Sequence, residues 1–240
     1  MSRLKPFLFL AATFVVLVGA GMFRGMAPLA YQSLAWGVVS SIALLALSFA
    51  FLRWDKRDAA GVGLQIVASS WKRFFAGLGI GFLLHGVQTA AVMAFARGAK
   101  LERVVPSADQ NIAASVVLAM FTFLALSCME ELGFRGYALR RLDELWGRPA
   151  ALAIGAVAFV LLHLAYGWPL AAAVVGVSTG ALLFGLAALV SGGLAVPIGV
   201  HFAWNWYGWF IGEKDTPGIW RFVVSEADTP RAQTIGLFPT

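Results

Sequence analysis

Two adjacent carboxylates close an uncharged stretch long enough to be a membrane helix. Asn111 to Met129 contains no Asp, Glu, Lys or Arg, and it runs directly into Glu130 and Glu131, with Arg135 four residues beyond the second glutamate. An ionised group at the centre of a membrane helix costs about 2.5–3.5 kcal/mol on insertion scales, so it needs a partner or a task. The C-terminal half offers few polar partners at membrane depth, the clearest being His163, His201 and Asn205. The chemistry these types support is water activation followed by attack on a peptide carbonyl. A glutamate in a low-dielectric cavity can serve as general base, and a histidine can hold the same water. His201 and Asn205 can donate to a developing oxyanion, where one aligned donor contributes about 3–4 kcal/mol. No serine or cysteine stands in a nucleophile setting. Cys128 precedes the acidic pair by two residues and points elsewhere on the helix.

Local spacing refines this. Glu131 and Arg135 are i,i+4 neighbours, which predicts an orienting ion pair, and Glu130 points about 100° away toward a different cavity. His201 and Asn205 are also i,i+4 and project together, while Phe159 lies one turn before His163 and can wall the pocket.

The elements that must position these groups are membrane spans. The 240 residues are 60% hydrophobic and 12% charged, with a mean hydropathy of +0.81, whereas a soluble domain is about one-quarter charged. We expect an all-α polytopic bundle of about seven transmembrane helices forming a single domain over residues 1–240. The motif-bearing core covers about 110–212, and 213–240 is an extramembrane or interfacial tail. Pro6 to Phe23 reads as an uncleaved first span rather than a signal peptide, because no small-residue cleavage site follows it. Leu29 to Leu52 and Phe74 to Phe95 follow, the latter containing His85, which reads as a satisfied packing residue. In the polar loop before the fourth helix, Ser107 and Asp109 are candidate caps. That helix is expected to begin near Gln110 and run unbroken past the glutamates to about Leu145, with Gly147 and Pro149 ending it and starting the next. Pro149 to Gly212 is then free of charge for 64 residues, divided into three spans at Tyr166–Pro169 and Ser191–Gly193. Gly176-x-x-x-Gly180 reads as a close-packing face.

Depth can be counted from the turns. At about 1.5 Å per residue, Glu130 and His163 both lie roughly 23–26 Å from the turn near Leu145 and Trp146. His201 and Asn205 lie about 13–20 Å above the turn at Ser191 to Gly193, so one shared layer is allowed. Ten Lys or Arg residues on one side of this topology against seven on the other favour a cytoplasmic N-terminus. The formal charge of +6 sits in short loops without a basic stripe, which argues against nucleic acid as a partner. One cysteine precludes an internal disulfide.

In order along the chain, Glu130-Glu131-x-x-x-Arg135, Phe159-x-x-x-His163 and His201-x-x-x-Asn205 resemble the three motifs of the CAAX-prenyl-protease and bacteriocin-processing family (CPBP, or Abi) of intramembrane endopeptidases. The resemblance covers roughly 110–210. It implies that Glu130 and His163 activate water, that His201 and Asn205 form the oxyanion site, and that Glu131 and Arg135 support them. Members are described both as metalloproteases and as glutamate-type enzymes. A metal, if used, would be Zn²⁺ on Glu130, His163 and His201, although no H-E-x-x-H motif is present. The substrate implied is a membrane-associated CAAX-like, leader or sorting-signal peptide, and the setting is the lipid bilayer of a prokaryotic inner membrane. Two other classes compete. A proton-coupled transporter or channel can use intramembrane Glu and His, but it predicts an inverted repeat that the sequence lacks. A non-catalytic immunity or scaffold protein would keep the fold and tolerate substitution of every motif.

Overall fold

The computed structural model describes residues 2–96, 99–104, 111–214 and 218–229. Ser107, Asp109 and Gln110 lie outside the described residues. The chain folds into α1 (Lys5–Met22), α2 (Gln32–Asp55), α3 (Ser70–Phe95), α4 (Ile112–Phe134), α5 (Tyr137–Trp146), α6 (Arg148–Ala165), α7 (Ser178–Ser191) and α8 (Ala195–Phe210). A π-helical turn, Ala172–Val177, leads into α7. Two short strands, β1 (Lys100–Arg103) and β2 (Trp220–Val223), pair antiparallel beyond the ends of α3 and α8.

By length and composition, six of the described segments can cross a bilayer, the segment over α4 and α5 counting as one. At 16 residues, α8 is about 24 Å long and shorter than the other spans. The molecule is built for an apolar solvent. Val15, Leu83, Val117, Phe121, Leu161 and Val190 point outward, while Glu131, Arg135, His163 and His201 are buried. Water would penalise such an exterior, and hydrocarbon would not. The fold is that of an all-α polytopic membrane protein.

Local chemistry sets the helix ends. Asn111 caps α4, its Oδ1 accepting from the Ala114 amide at 3.1 Å. Gly147 at φ 80° separates α5 from α6, and Pro149 sits in the first turn of α6, as the sequence suggests. Gly192 at φ 74° makes the turn between α7 and α8.

The fourth helix is not continuous. It closes at Phe134, where the amides of Arg135 and Gly136 both donate to the Glu131 carbonyl at 2.9 and 3.1 Å. Gly136 takes φ −75°, ψ −117°, outside the helical region, and α5 starts as a separate helix. No proline and no capping side chain marks the break, so a reading by pattern runs through it. Five of the ten residues of α5 are buried, and Tyr137 packs against Phe9 of α1 with ring centroids 5.0 Å apart.

The cationic end of the bundle is tied together by its own charges. Asp55 binds Lys5 at 2.5 Å and Arg141 at 2.9 Å and accepts from the Tyr137 hydroxyl at 2.7 Å. Arg73 donates to Ser191 O at 3.1 Å and Arg140 to Ala188 O at 2.5 Å, so both helical hairpins turn on this side.

Gly180, half of the expected Gly176-x-x-x-Gly180 face, is not among the glycines in closest contact with another helix. A Cβ on Gly180 would meet only the Phe184 ring of its own helix, at 3.5 Å. On α3, by contrast, a Cβ at Gly81 would stand 2.5 Å from Val200 O and 2.7 Å from Ala203 Cβ of α8. Gly77 on α3 and Gly199 on α8 are equally closed against the facing backbone. Removing side chains lets two backbones approach, and here that fixes α8 against α3.

Candidate active site

Glu131 is fully buried in the last turn of α4, and its Oε1 is the hub of the site. His201 Nδ1 of α8 lies 2.8 Å from it, and Arg135 Nη1 donates to it at 3.3 Å. The i,i+4 ion pair expected from spacing is therefore present. Arg135 is only 3% exposed; its Nη2 donates to Ala181 O of α7 at 3.4 Å, and its guanidinium sits 4.2 Å from the Phe159 ring centroid and 5.5 Å from that of Phe184. A planar cation that stacks on rings while it binds a carboxylate is a role for arginine rather than lysine.

Glu130 does not face a separate cavity. Its Oε2 lies 3.6 Å from Nε2 of the same His201, within ion-pair range but too long for a hydrogen bond. Consecutive residues on a helix diverge by about 100°, yet the two nitrogens of an imidazole lie on different edges of its ring. A histidine from α8 inserted between the carboxylates reaches both. The Phe184 ring holds it there, stacked at 4.4 Å between centroids and 15° between planes.

His163 enters from α6. Its Nδ1 is 2.9 Å from Phe159 O, and a carbonyl can only accept, so Nδ1 carries the proton. That leaves Nε2 of the neutral ring as an acceptor. The Phe159 ring links His163 to His201, with centroids 4.6 Å from His163 and 6.5 Å from His201. Phe159 at 4.6 Å and Trp168 at 5.1 Å between centroids enclose the ring. The structure thus brings Glu130, Glu131, Arg135, His163 and His201 together from α4, α6 and α8.

Asn205 is placed differently. It lies one turn beyond His201 on α8, and its Oδ1 accepts from Lys214 Nζ at 3.0 Å rather than contacting the carboxylates. For a metal, the required test is convergence of ligands. Among the described residues no three His, Cys, Asp or Glu side chains form a metal-binding group, so Glu130, His163 and His201 do not make a ready cage for Zn²⁺ in this arrangement.

Residues 112–207 match the family described as type II CAAX prenyl endopeptidase, Rce1-like. The match covers 96 of the 240 residues, the stretch that carries the site. The matched residues run from the first residue of α4 into α8 and contain every motif residue described above, whereas α1 to α3 lie outside them. No curated protein and no solved structure matches the chain. The match relates this stretch to the CAAX-type membrane endopeptidases as a class.

Several parts of the site and its surroundings escaped the sequence reading. Phe184 is one apolar residue among many in α7, and the Ala181 carbonyl carries no side-chain signal at all. Trp168 read as a turn residue between spans. The buried His85 is satisfied as expected, with Nδ1 3.0 Å from Trp204 O, but its second partner is Glu213 Oε2 at 2.9 Å. The stretch just after α8 is therefore folded back onto the bundle.

Proposed function

We propose that this protein is an intramembrane endopeptidase that hydrolyses a peptide bond of a membrane-associated peptide, using water activated between Glu130 and His163. One observation carries the reading: a single imidazole, His201, touches both of two adjacent carboxylates inside an apolar bundle. An ion pair kept only for packing has no use for a second carboxylate held 3.6 Å from the free nitrogen.

In this reading Glu130 takes a proton from the water while His163 Nε2 accepts its other hydrogen bond, and the resulting oxygen nucleophile attacks the scissile carbonyl. His201, when protonated, keeps Nδ1–H on Glu131 and presents Nε2–H to the oxyanion. The Asn205 amide supplies a second donor. Glu130 then returns its proton to the leaving amine. Glu131 and Arg135 never touch substrate; they hold the His201 ring and balance its charge. Glu131 Oε2 is buried without a hydrogen-bond partner, which leaves one acceptor for a water. The glutamate-type route is preferred to a metal route because the donor set does not close around an ion. The substrate classes are CAAX-like, leader or sorting-signal peptides delivered from the bilayer, in a prokaryotic inner membrane with the N-terminus cytoplasmic.

The test is cleavage of fluorescence-quenched CAAX-like peptides, farnesylated and unlipidated, by the purified protein in proteoliposomes. Glu130→Gln or His163→Ala should lower the rate by about 10²–10⁴-fold. Undiminished cleavage by either variant removes its assigned role. Ion flux without hydrolysis would point to a transporter.

A further inference from the structure

A second buried polar cluster joins α3, the C-terminal half of α8 and the residues just after it. His85 of α3 is 1% exposed and lies between Trp204 and Tyr207, with ring centroids 4.5 and 4.8 Å away. It binds Glu213 Oε2 at 2.9 Å. The chain reverses just before, at Gly212, whose φ of 84° suits glycine. The Glu213 amide then donates to Gly208 O at 2.8 Å. Lys214 is the next residue, and its Nζ donates to Asn205 Oδ1 at 3.0 Å.

This contact has a directional consequence. An ammonium group has only hydrogens to give, so the amide atom facing Lys214 must be the oxygen. The other end of the amide, Nδ2 with its two hydrogens, is turned away from Lys214. Without such a partner an asparagine amide flips freely between its two orientations, and only one of them offers a donor to an oxyanion.

We propose that Lys214, anchored by the His85–Glu213 pair, is a positioning residue that selects the donor-presenting orientation of Asn205. The inference rests on the oxyanion role assigned to Asn205 above. It adds two elements outside the family-matched residues 112–207, namely α3 and the segment after α8, to the machinery of the reaction. It also gives the buried His85–Glu213 contact a purpose, since that contact holds the residue next to Lys214.

The experiment is a double-mutant cycle in proteoliposomes with the quenched CAAX-like peptide, read as kcat and KM. Asn205→Ala should lower kcat by about 10²–10³-fold with KM little changed. Lys214→Met should lower kcat at least about 10-fold, with Lys214→Arg restoring it, and should add nothing in the Asn205→Ala background. A second readout needs no turnover: affinity for a peptidyl phosphonamidate, which mimics the tetrahedral intermediate, should fall in both single variants while affinity for the substrate peptide stays. If Asn205→Ala keeps wild-type kcat and analogue affinity, the oxyanion assignment itself fails. If Asn205→Ala is impaired but Lys214→Met is not, or if the two effects multiply, Lys214 does not act through Asn205 and the proposal is overturned.

Discussion

Replacing Arg135 by lysine separates charge from shape at the hub of the site. The guanidinium donates to Glu131 Oε1 at 3.3 Å and to Ala181 O at 3.4 Å and stacks on Phe159 at 4.2 Å, all at 3% exposure. Lysine keeps the charge opposite Glu131 but cannot span both acceptors and lie flat on the ring. A hydrogen bond from a charged donor contributes about 1.5–3 kcal/mol, and both bonds here are long, so loss of the Ala181 arm costs about 1.5 kcal/mol. Weakened stacking adds about 0.5–1 kcal/mol. Arg135→Lys should therefore lose about 2 kcal/mol. Arg135→Ala strands Glu131 in the interior and should lose about 3–5 kcal/mol. Thermal unfolding in detergent should rank wild type above Arg135→Lys above Arg135→Ala, and peptide cleavage should follow the same order because His201 leans on Glu131. A lysine variant equal to wild type would show that the Ala181 and Phe159 contacts contribute nothing. A lysine variant equal to the alanine variant would show that the charge does not matter. Either result would refute the reasoning.

Two further outcomes are expected. Gly81→Ala places a Cβ 2.5 Å from Val200 O, so α8 must move away from α3; we expect about 1–3 kcal/mol of destabilisation and a disproportionate loss of cleavage, measured by thermal shift and peptide assay side by side. Cleavage should survive exhaustive treatment with EDTA, since Glu130, His163 and His201 form no three-ligand group; a loss restored by Zn²⁺ would assign a metal to them.

The sequence alone determined what depends on composition and on one helix at a time. Long uncharged stretches demanded a bilayer, and the Glu131–Arg135 pair followed from i,i+4 geometry without knowledge of any neighbour. Gly147 and Pro149 marked a boundary because backbone sterics act locally. The three motifs could be matched to a family because they need only identity and order.

What only the tertiary structure decided is how the helices lie beside one another. Apolar stretches of equal hydropathy carry no record of which faces meet, so the insertion of His201 between both glutamates was invisible, as was the Phe184 ring that stacks on it. The break at Gly136 carries no proline and no capping side chain to mark it. Gly77, Gly81 and Gly199 became an interface only once α3 and α8 were side by side, and Glu213 found His85 only because the chain turned back after α8. Hydrophobicity drives the chain into the membrane, but it does not distinguish one apolar face from another there; close packing and the few buried polar pairs make that choice.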